Sequence, residues 1–252
     1  MARMVKDFYD KVANKFGRYS SGVEYGKEFP NGDPEEVFKT QLFNVAAKTK
    51  KALDVGCADG RFALEMAPNF EEIVAIDTSG GMLSVAKKFQ EESSITNVSF
   101  EKVDFFHNDI SSDSFDVIYS RRGPADYPEF HRLLKPSGIY VGIRIGNQDT
   151  RELKEAFGRG QDYDKMDISV FEKDSQELKD AGFELTFARE YSYNVYYKSI
   201  ADLSKALESV PIFEDYDLVK DMGNLEKYVA AHTAPKGILL SRHRVVLVAR
   251  KP

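Results

Sequence analysis

The stretch Leu53–Phe62, LDVGCADGRF, decides the fold. It closes an apolar run, KALDV, with two glycines and two acids inside one short turn, and RFALEMA follows with Phe62, Ala63 and Met66 on one helical face. Working outward from that strand, turn and helix, the same cycle recurs. EIVAID reads as a second strand, and GGMLSVAKKF as a helix that buries Met82, Val85, Ala86 and Phe89. NVSFEKVDF is a third strand, FDVIYS a fourth, YPEFHRLL a helix and GIYVGIRI a fifth strand. Strands alternating with helices specify a mostly parallel sheet covered on both faces.

The flanks are less regular. Val5, Phe8, Val12 and Phe16 stand at helical spacing, and the turn-rich GRYSSGVEYGKEFPNGDPEE follows, so residues 1–48 are expected to form an N-terminal helix and flap. Beyond Asp149, FELTFAREYSYNVYY reads as a long strand and HRVVLVA as the last one. Between them Ile200, Leu203, Leu207, Leu225, Tyr228 and Val229 keep helical spacing, so residues 198–232 are expected to be a helical insertion serving as a substrate lid. The expectation is one α/β domain over residues 1–252, with a doubly wound, mostly parallel seven-stranded sheet and a helical insertion before the last strand.

The 252 residues carry a net charge of -6, with 18 Phe and 13 Tyr, a globular composition with no global basic field to hold a polynucleotide. One cysteine allows no internal disulfide, the N-terminal residues lack an apolar signal core, and no apolar run approaches the roughly 18 residues of a membrane span. The chain reads as cytoplasmic, with no membrane partner, and a nucleic-acid partner is disfavoured. His107, His131, His232 and His243 show no metal-ligand spacing, so no metal is expected.

A strand, glycine turn and helix at the head of such a sheet is a nucleotide cradle. A dinucleotide would need G-x-G-x-x-G, and counting from Gly56 the next two positions of that pattern are Ala58 and Arg61. Asp54 and Asp59 would each repel a pyrophosphate by on the order of a kcal/mol or more. A cation is welcome there instead. S-adenosylmethionine fits, because its sulfonium and ammonium are positive and it carries no phosphate. Asp77 ends the second strand 23 positions after Asp54, where one carboxylate can accept both ribose hydroxyls. Asp104, beside Phe105, could reach the adenine amino group.

These segments together resemble the class I S-adenosylmethionine-dependent methyltransferases. LDVGCADG resembles the family's first motif, IVAIDTSGGML its ribose-binding segment, VDF at 103–105 its adenine segment, and FDVIYS its fourth motif, while LLKPSGIYV is similar to its approach to the fifth strand. The resemblance covers roughly Leu53–Ile145 and implies the Rossmann-like methyltransferase fold. It implies Asp54, Gly56, Cys57, Ala58 and Gly60 around the methionine end, Asp77 with Thr78 on the ribose, Met82 under the adenosine, Asp104 with Phe105 at the adenine, and Ser120 at the fourth strand tip. Ala58 stands where glycine is common, a substitution that a negative φ would accommodate. RYSSGVEY and SRRGP resemble an uncharacterised branch of the family.

Each residue also has a plainer reading. Asp77 can cap the helix beginning near Ser79, Asp104 can make an ordinary turn, and Cys57, with no paired base, is a small apolar filler. Arg121 and Arg122 suggest an anionic group on the acceptor, or else pair with Asp126 or Asp59. Tyr191 and Tyr193 alternate onto one strand face as core packing. Tyr19 and Tyr25 join the two arginines as expected acceptor contacts. A general base, if the acceptor needs one, is sought among Tyr19, Tyr25, Asp126 and His131, and no catalytic residue is assigned.

The expected reaction is transfer of the S-adenosylmethionine methyl group to a small molecule by direct in-line displacement, with the nucleophile held at about 3 Å and water excluded. The alternatives are an RNA (rRNA or tRNA) methyltransferase and a non-catalytic binding module. An oxidoreductase is a more distant one.

Overall fold

Leu53 and Val55 face one side of the sheet and Ala52 the other, and all three are buried, as expected of a strand covered on both faces. The computed structural model describes the backbone of residues 2–252 and the side chains of residues 7–252. The Val5 side chain named above lies outside the described residues.

The elements in chain order are α1 (Ala2–Phe16), β1 (Gly26–Glu28), α2 (Pro34–Val45), β2 (Lys51–Val55), α3 (Arg61–Met66), β3 (Glu72–Asp77), α4 (Gly80–Glu91), β4 (Val98–Lys102), β5 (Phe115–Arg121), α5 (Tyr127–Leu133) and β6 (Leu134–Ile145). Then come α6 (Arg151–Phe157), α7 (Val170–Asp180), β7 (Glu184–Tyr197), α8 (Ile200–Leu207), α9 (Leu218–His232), β8 (Thr233–Ala234) and β9 (Gly237–Arg250). Among the described residues no helix is long and apolar enough to cross a membrane.

The sheet runs β1-β7-β9-β6-β5-β2-β3-β4, with β8 paired to β9. Strands β2 to β6 are mutually parallel, and β9 lies antiparallel between β6 and β7. Of the nine strands among the described residues, seven form the expected sheet. The other two are short additions, β1 from the flap on the free edge of β7 and β8 at the foot of the insertion. Three and two residues are too few to show an alternating pattern in sequence.

Chain order reverses at β2, whose neighbours are β3 on one side and β5 on the other. The carboxyl ends of β2, β3 and β5 therefore border the crevice where such sheets bind ligands. Helices α2, α3 and α4 cover one face through Phe38, Leu42, Met66 and Leu83, while α5 and α7 cover the other through Phe130, Leu133 and Leu178.

Two further clusters flank the crevice. Phe8, Val12 and Ala13 of α1 pack on Met82 of α4. The insertion carries its own core, in which Leu203, Leu207, Phe213, Leu225 and Tyr228 join Phe157 of α6 and bury the outer ends of β7 and β9 through Tyr193, Tyr197, Ile238 and Leu240. Phe157 and Phe213 stack at 4.3 Å.

Candidate active site

The turn after β2 is shaped by three left-handed residues, Gly56 at φ 79°, Ala58 at 47° and Gly60 at 70°. Gly60 has a packing reason to lack a side chain, because a Cβ there would press on Ala86 at 2.7 Å and Phe100 at 2.5 Å. Ala58 has no such freedom. The negative φ expected for it is not what the turn adopts, since its N–H must reach Asp77 Oδ2 at 2.9 Å. The methyl group is held in a strained region that glycine would occupy freely.

Asp77 is clasped from two sides, with Oδ2 taking the Ala58 N–H and Oδ1 the Ser79 N–H at 2.8 Å. The α4 cap itself is Ser79, whose Oγ accepts the Met82 N–H at 3.1 Å. Burial pushes the Asp77 carboxyl above its ordinary range, against the amides of Ser79, Ala58 and Thr78. A carboxylate has about four lone-pair directions, so acceptor capacity remains for a diol. Asp54, 2 % exposed, is raised to about 7 by burial, with its register partner Tyr119 and Arg121 opposing the shift and Asp77 adding to it. Burial likewise pushes the Cys57 thiol up, which removes it as a nucleophile.

Asp59 is not part of that acidic pair. Its Oδ2 accepts the backbone N–H of Tyr19 at 2.8 Å and the Arg61 Nε at 2.9 Å, which ties the segment after α1 to the cofactor turn. Asp10 of α1 does the same one element away, taking the Ser79 hydroxyl at 2.5 Å and the Gly81 N–H at 3.0 Å. Between these anchors Tyr9 and Tyr19 stack at 5.7 Å. Burial raises the Tyr9 phenol, Tyr19 and Asp77 add to the shift, and Arg122 opposes it. Tyr9 thus lies within the electrostatic reach of both the second-strand acid and the fourth-motif arginine.

The remaining expected cofactor contacts divide by exposure. Met82 is fully buried under Phe8, Val12 and Ala13. Phe105 turns into the core against Phe130 at 4.9 Å, and its exposed neighbour Phe106 borders an open cavity of about 540 Å³ together with His107, Asp109 and Asp126. Asp104 stays half-exposed and accepts the Phe106 N–H at 3.1 Å. Ser120 is buried, its Oγ 3.2 Å from the carbonyl oxygens of both Val55 and Pro124, one of which takes its proton. This hydroxyl bridges the tips of β2 and β5. Gly123 completes the bridge, since any Cβ there would collide with the Val55 carbonyl.

Arg121 and Arg122 pair with neither Asp126 nor Asp59. Asp126 caps α5 by accepting the Glu129 N–H at 3.0 Å, and both arginines instead share Glu35, Arg121 Nε at 2.7 Å and Arg122 Nη1 at 2.9 Å. Asp33 caps α2 and Pro34 opens it, which sets Glu35 in the first turn facing the β5 tip. Burial works against the Glu35 charge, but Arg122 and Arg121 hold its carboxyl down at about 2. Arg122 itself has φ 63°, a second strained residue at the crevice.

Tyr25 is exposed and meets Tyr197 at 5.3 Å. Tyr191 is core packing as expected. Tyr193 is core packing too, in the insertion's cluster against Phe29 at 5.1 Å, and its phenol also acts on the charges of Arg122 and Arg242. His131 packs on Phe183 at 5.2 Å, with Asp113 and Lys251 acting on its charge, near the start of β5 and away from the strand tips. That position removes it from the possible bases.

Residues 46–180 match the family model described as a methyltransferase domain. The chain belongs to that family. Its sequence is 34% identical over 186 residues to phosphoethanolamine N-methyltransferase 1 of Arabidopsis thaliana, covering 69% of this chain and 35% of that one. It is 25% identical over 205 residues to the sterol 24-C-methyltransferase of Debaryomyces hansenii, covering 73% and 52%. The chain thus spans about a third of the plant relative's length and about half of the yeast one's. A functionally unknown protein from Deinococcus radiodurans R1 shares the fold with TM-score 0.65 at 17% identity, covering 98% of this chain and 100% of that one.

The cofactor of this methyltransferase is S-adenosylmethionine. The residues at the crevice fit it. A buried carboxylate with its pKa at about 7 is incompletely compensated, and an ammonium group would compensate it. Asp77, with acceptor capacity left beside the turn amides, suits a ribose diol.

Proposed function

We propose that this methyltransferase acts on a small-molecule acceptor, bound between the β2 and β5 tips on one side and α1 with the α8–α9 insertion on the other. The observation that carries the reading is the Tyr9–Tyr19 stack, anchored over the cofactor turn by Asp59 and Asp10. It sets two aromatic rings beside the cofactor turn within the electrostatic reach of Asp77 and Arg122, which suits a compact acceptor better than a folded RNA. The net charge of -6 supports the same reading.

Bound S-adenosylmethionine supplies a methyl group that is already electrophilic because it sits on a cationic sulfur. The chain therefore has to position groups and exclude water, and no covalent residue is needed. Asp54 would hold the ammonium end and Asp77 would accept the ribose hydroxyls, with Gly56, Cys57, Ala58 and Gly60 forming the turn between them. Thr78 and Asp104 would complete the nucleoside side with Phe105 packed in the core behind them, Met82 would support it from beneath α1, and Ser120 keeps the β2 and β5 tips in register. Tyr19, Tyr25, Arg121 and Arg122 stand on the acceptor side. The flap of residues 1–48 and the insertion of residues 198–232 form the cover.

Purified protein should convert S-adenosylmethionine to adenosylhomocysteine with some member of a panel of small amines, acids and alcohols. Turnover confined to structured RNA, with a steep salt dependence, would overturn the small-molecule reading.

A further inference from the structure

The acceptor side of this acidic protein conceals an excess of positive charge. Arg121 and Arg122 share one carboxylate, Glu35. Arg242 and Arg244 share another, Asp149, which takes Arg242 Nε at 2.9 Å, Arg244 Nη1 at 2.6 Å and the His243 N–H at 2.9 Å. Lys154 is buried behind them, and no described carboxylate lies within ion-pair distance of its ammonium. Five cations thus have two carboxylates in direct contact, with Asp162 acting on Lys154 and Asp54 on Arg121 only through space, whereas the adjacent Arg144 and Asp174 form a balanced pair at 3.0 Å.

These groups form one cluster because of the sheet register. Arg121 pairs with Ile143 on β6, and β9 parts from β6 at the Ile145–Arg244 pair, so Arg242 and Arg244 emerge beside the β5 tip. Both alternate onto the face that carries Val246 and Val248, which α2 covers. Tyr193 pairs with Arg242 across the β7–β9 ladder and lies under the Arg244 guanidinium at 5.9 Å. The charge of Arg242 acts directly on Arg122, and that of Arg244 on Glu35. The buried Nε atoms of Arg122 and Arg244 have no hydrogen-bond partner among the described residues. Buried donors of this kind call for an acceptor, and concentrated buried charge of one sign calls for a counter-ion.

We infer that the methyl acceptor carries a compact oxyanion, a phosphate or carboxylate group, received between Arg122 and Arg242 beside Tyr193, with Arg244 and Lys154 supplying field from behind. A guanidinium fork matches such a group in two hydrogen bonds, and water exclusion strengthens each of them. The inference rests on the reading of these strand tips as the acceptor side. Methyl transfer removes nothing from the anionic group, which serves as a handle and leaves with the product.

The test titrates the adenosylhomocysteine-loaded protein with inorganic phosphate and with acetate by calorimetry, at ionic strength matched with chloride. One of the two should bind saturably, and which one does distinguishes a phosphate-bearing from a carboxylate-bearing acceptor. Arg122→Gln should weaken that binding roughly tenfold, the loss expected for one charge-assisted hydrogen bond. Arg122→Lys should recover only part of it. Lys154→Met, outside the Glu35 and Asp149 pairs, should weaken it by a smaller factor. In all three variants an unchanged adenosylhomocysteine affinity reports that the fold and cofactor site are intact. If neither ion binds the loaded wild type, or if binding is the same in Arg122→Gln and Lys154→Met, the inference falls while methyl transfer to a neutral small molecule still stands. If adenosylhomocysteine itself does not bind, the reading on which the inference rests falls first.

Discussion

The backbone N–H of Tyr19 is bonded to Asp59 Oδ2 at 2.8 Å, a contact that joins the segment after the first helix to the turn after β2. The residue that a sequence reading counts among the loop's acids is therefore spent on holding the roof. Asp59→Ala should remove a charge-assisted hydrogen bond contributing about 1.5–3 kcal/mol. Losing the exposed Arg61 partner adds little. The expected outcome is faster amide hydrogen exchange at Tyr19, by roughly tenfold or more, with faster adenosylhomocysteine release. Exchange as slow as in wild type would show that this segment is held without Asp59, by the Asp10 bonds and the apolar face of α1.

Asp54 makes cofactor binding depend on pH. Its carboxyl titrates at about 7 in the folded protein because of burial, against an ordinary value of 3.8. Between about pH 4 and pH 7 the folded state keeps a proton that the unfolded chain has lost, so this group's contribution to stability declines as pH rises through that window and is level above it. Binding a cation favours the ionised form. Cofactor affinity should therefore rise from about pH 6 to pH 8, with proton uptake by the buffer below pH 7, seen by calorimetry in buffers of different ionisation enthalpy. Asp54→Asn should abolish the step, and a step that survives the substitution would assign it elsewhere.

Ala58→Gly tests the strained turn. The left-handed conformation costs a non-glycine residue about 1–2 kcal/mol, and glycine's greater freedom in the unfolded chain offsets about 0.4–1 kcal/mol of the relief. A gain of up to about 1.6 kcal/mol should appear as a rise in melting temperature of up to about 3 °C. A fall would mean that the methyl group makes packing contacts worth more than the strain.

The parallel sheet, its two covered faces and the helical insertion were legible because each depends on local periodicity. Leu203, Leu207, Leu225 and Tyr228, four of the positions spaced as helical in the sequence, are the ones that form the insertion's core. What was not legible was pairing across long separations. Glu35 meets Arg121 across 86 residues, so the acids that the sequence offers at the strand tips, Asp126 in the following turn and Asp59 in the first one, stand in its place. Asp10 looks no different from the surface acid Asp7 until α1 is laid on α4. Tyr193 follows the same alternation as Tyr191, and only the point at which β9 parts from β6 sets it among arginines. Ala58 could be placed in the turn from its neighbours, but its φ follows from the Asp77 hydrogen bond, a tertiary contact.

The central claim is that the acids at the β2 and β3 tips receive a cationic, phosphate-free nucleoside. Calorimetric titration of wild type and Asp77→Ala with S-adenosylmethionine tests it most directly. Ligand at about a hundred times its dissociation constant should add about 2.7 kcal/mol of stability to the wild type. Asp77→Ala, which loses the diol acceptor together with the Ala58 and Ser79 amide contacts, should forfeit most of that gain while remaining folded. Equal binding by the two proteins, or a wild type that takes up a dinucleotide in its place, would contradict the account.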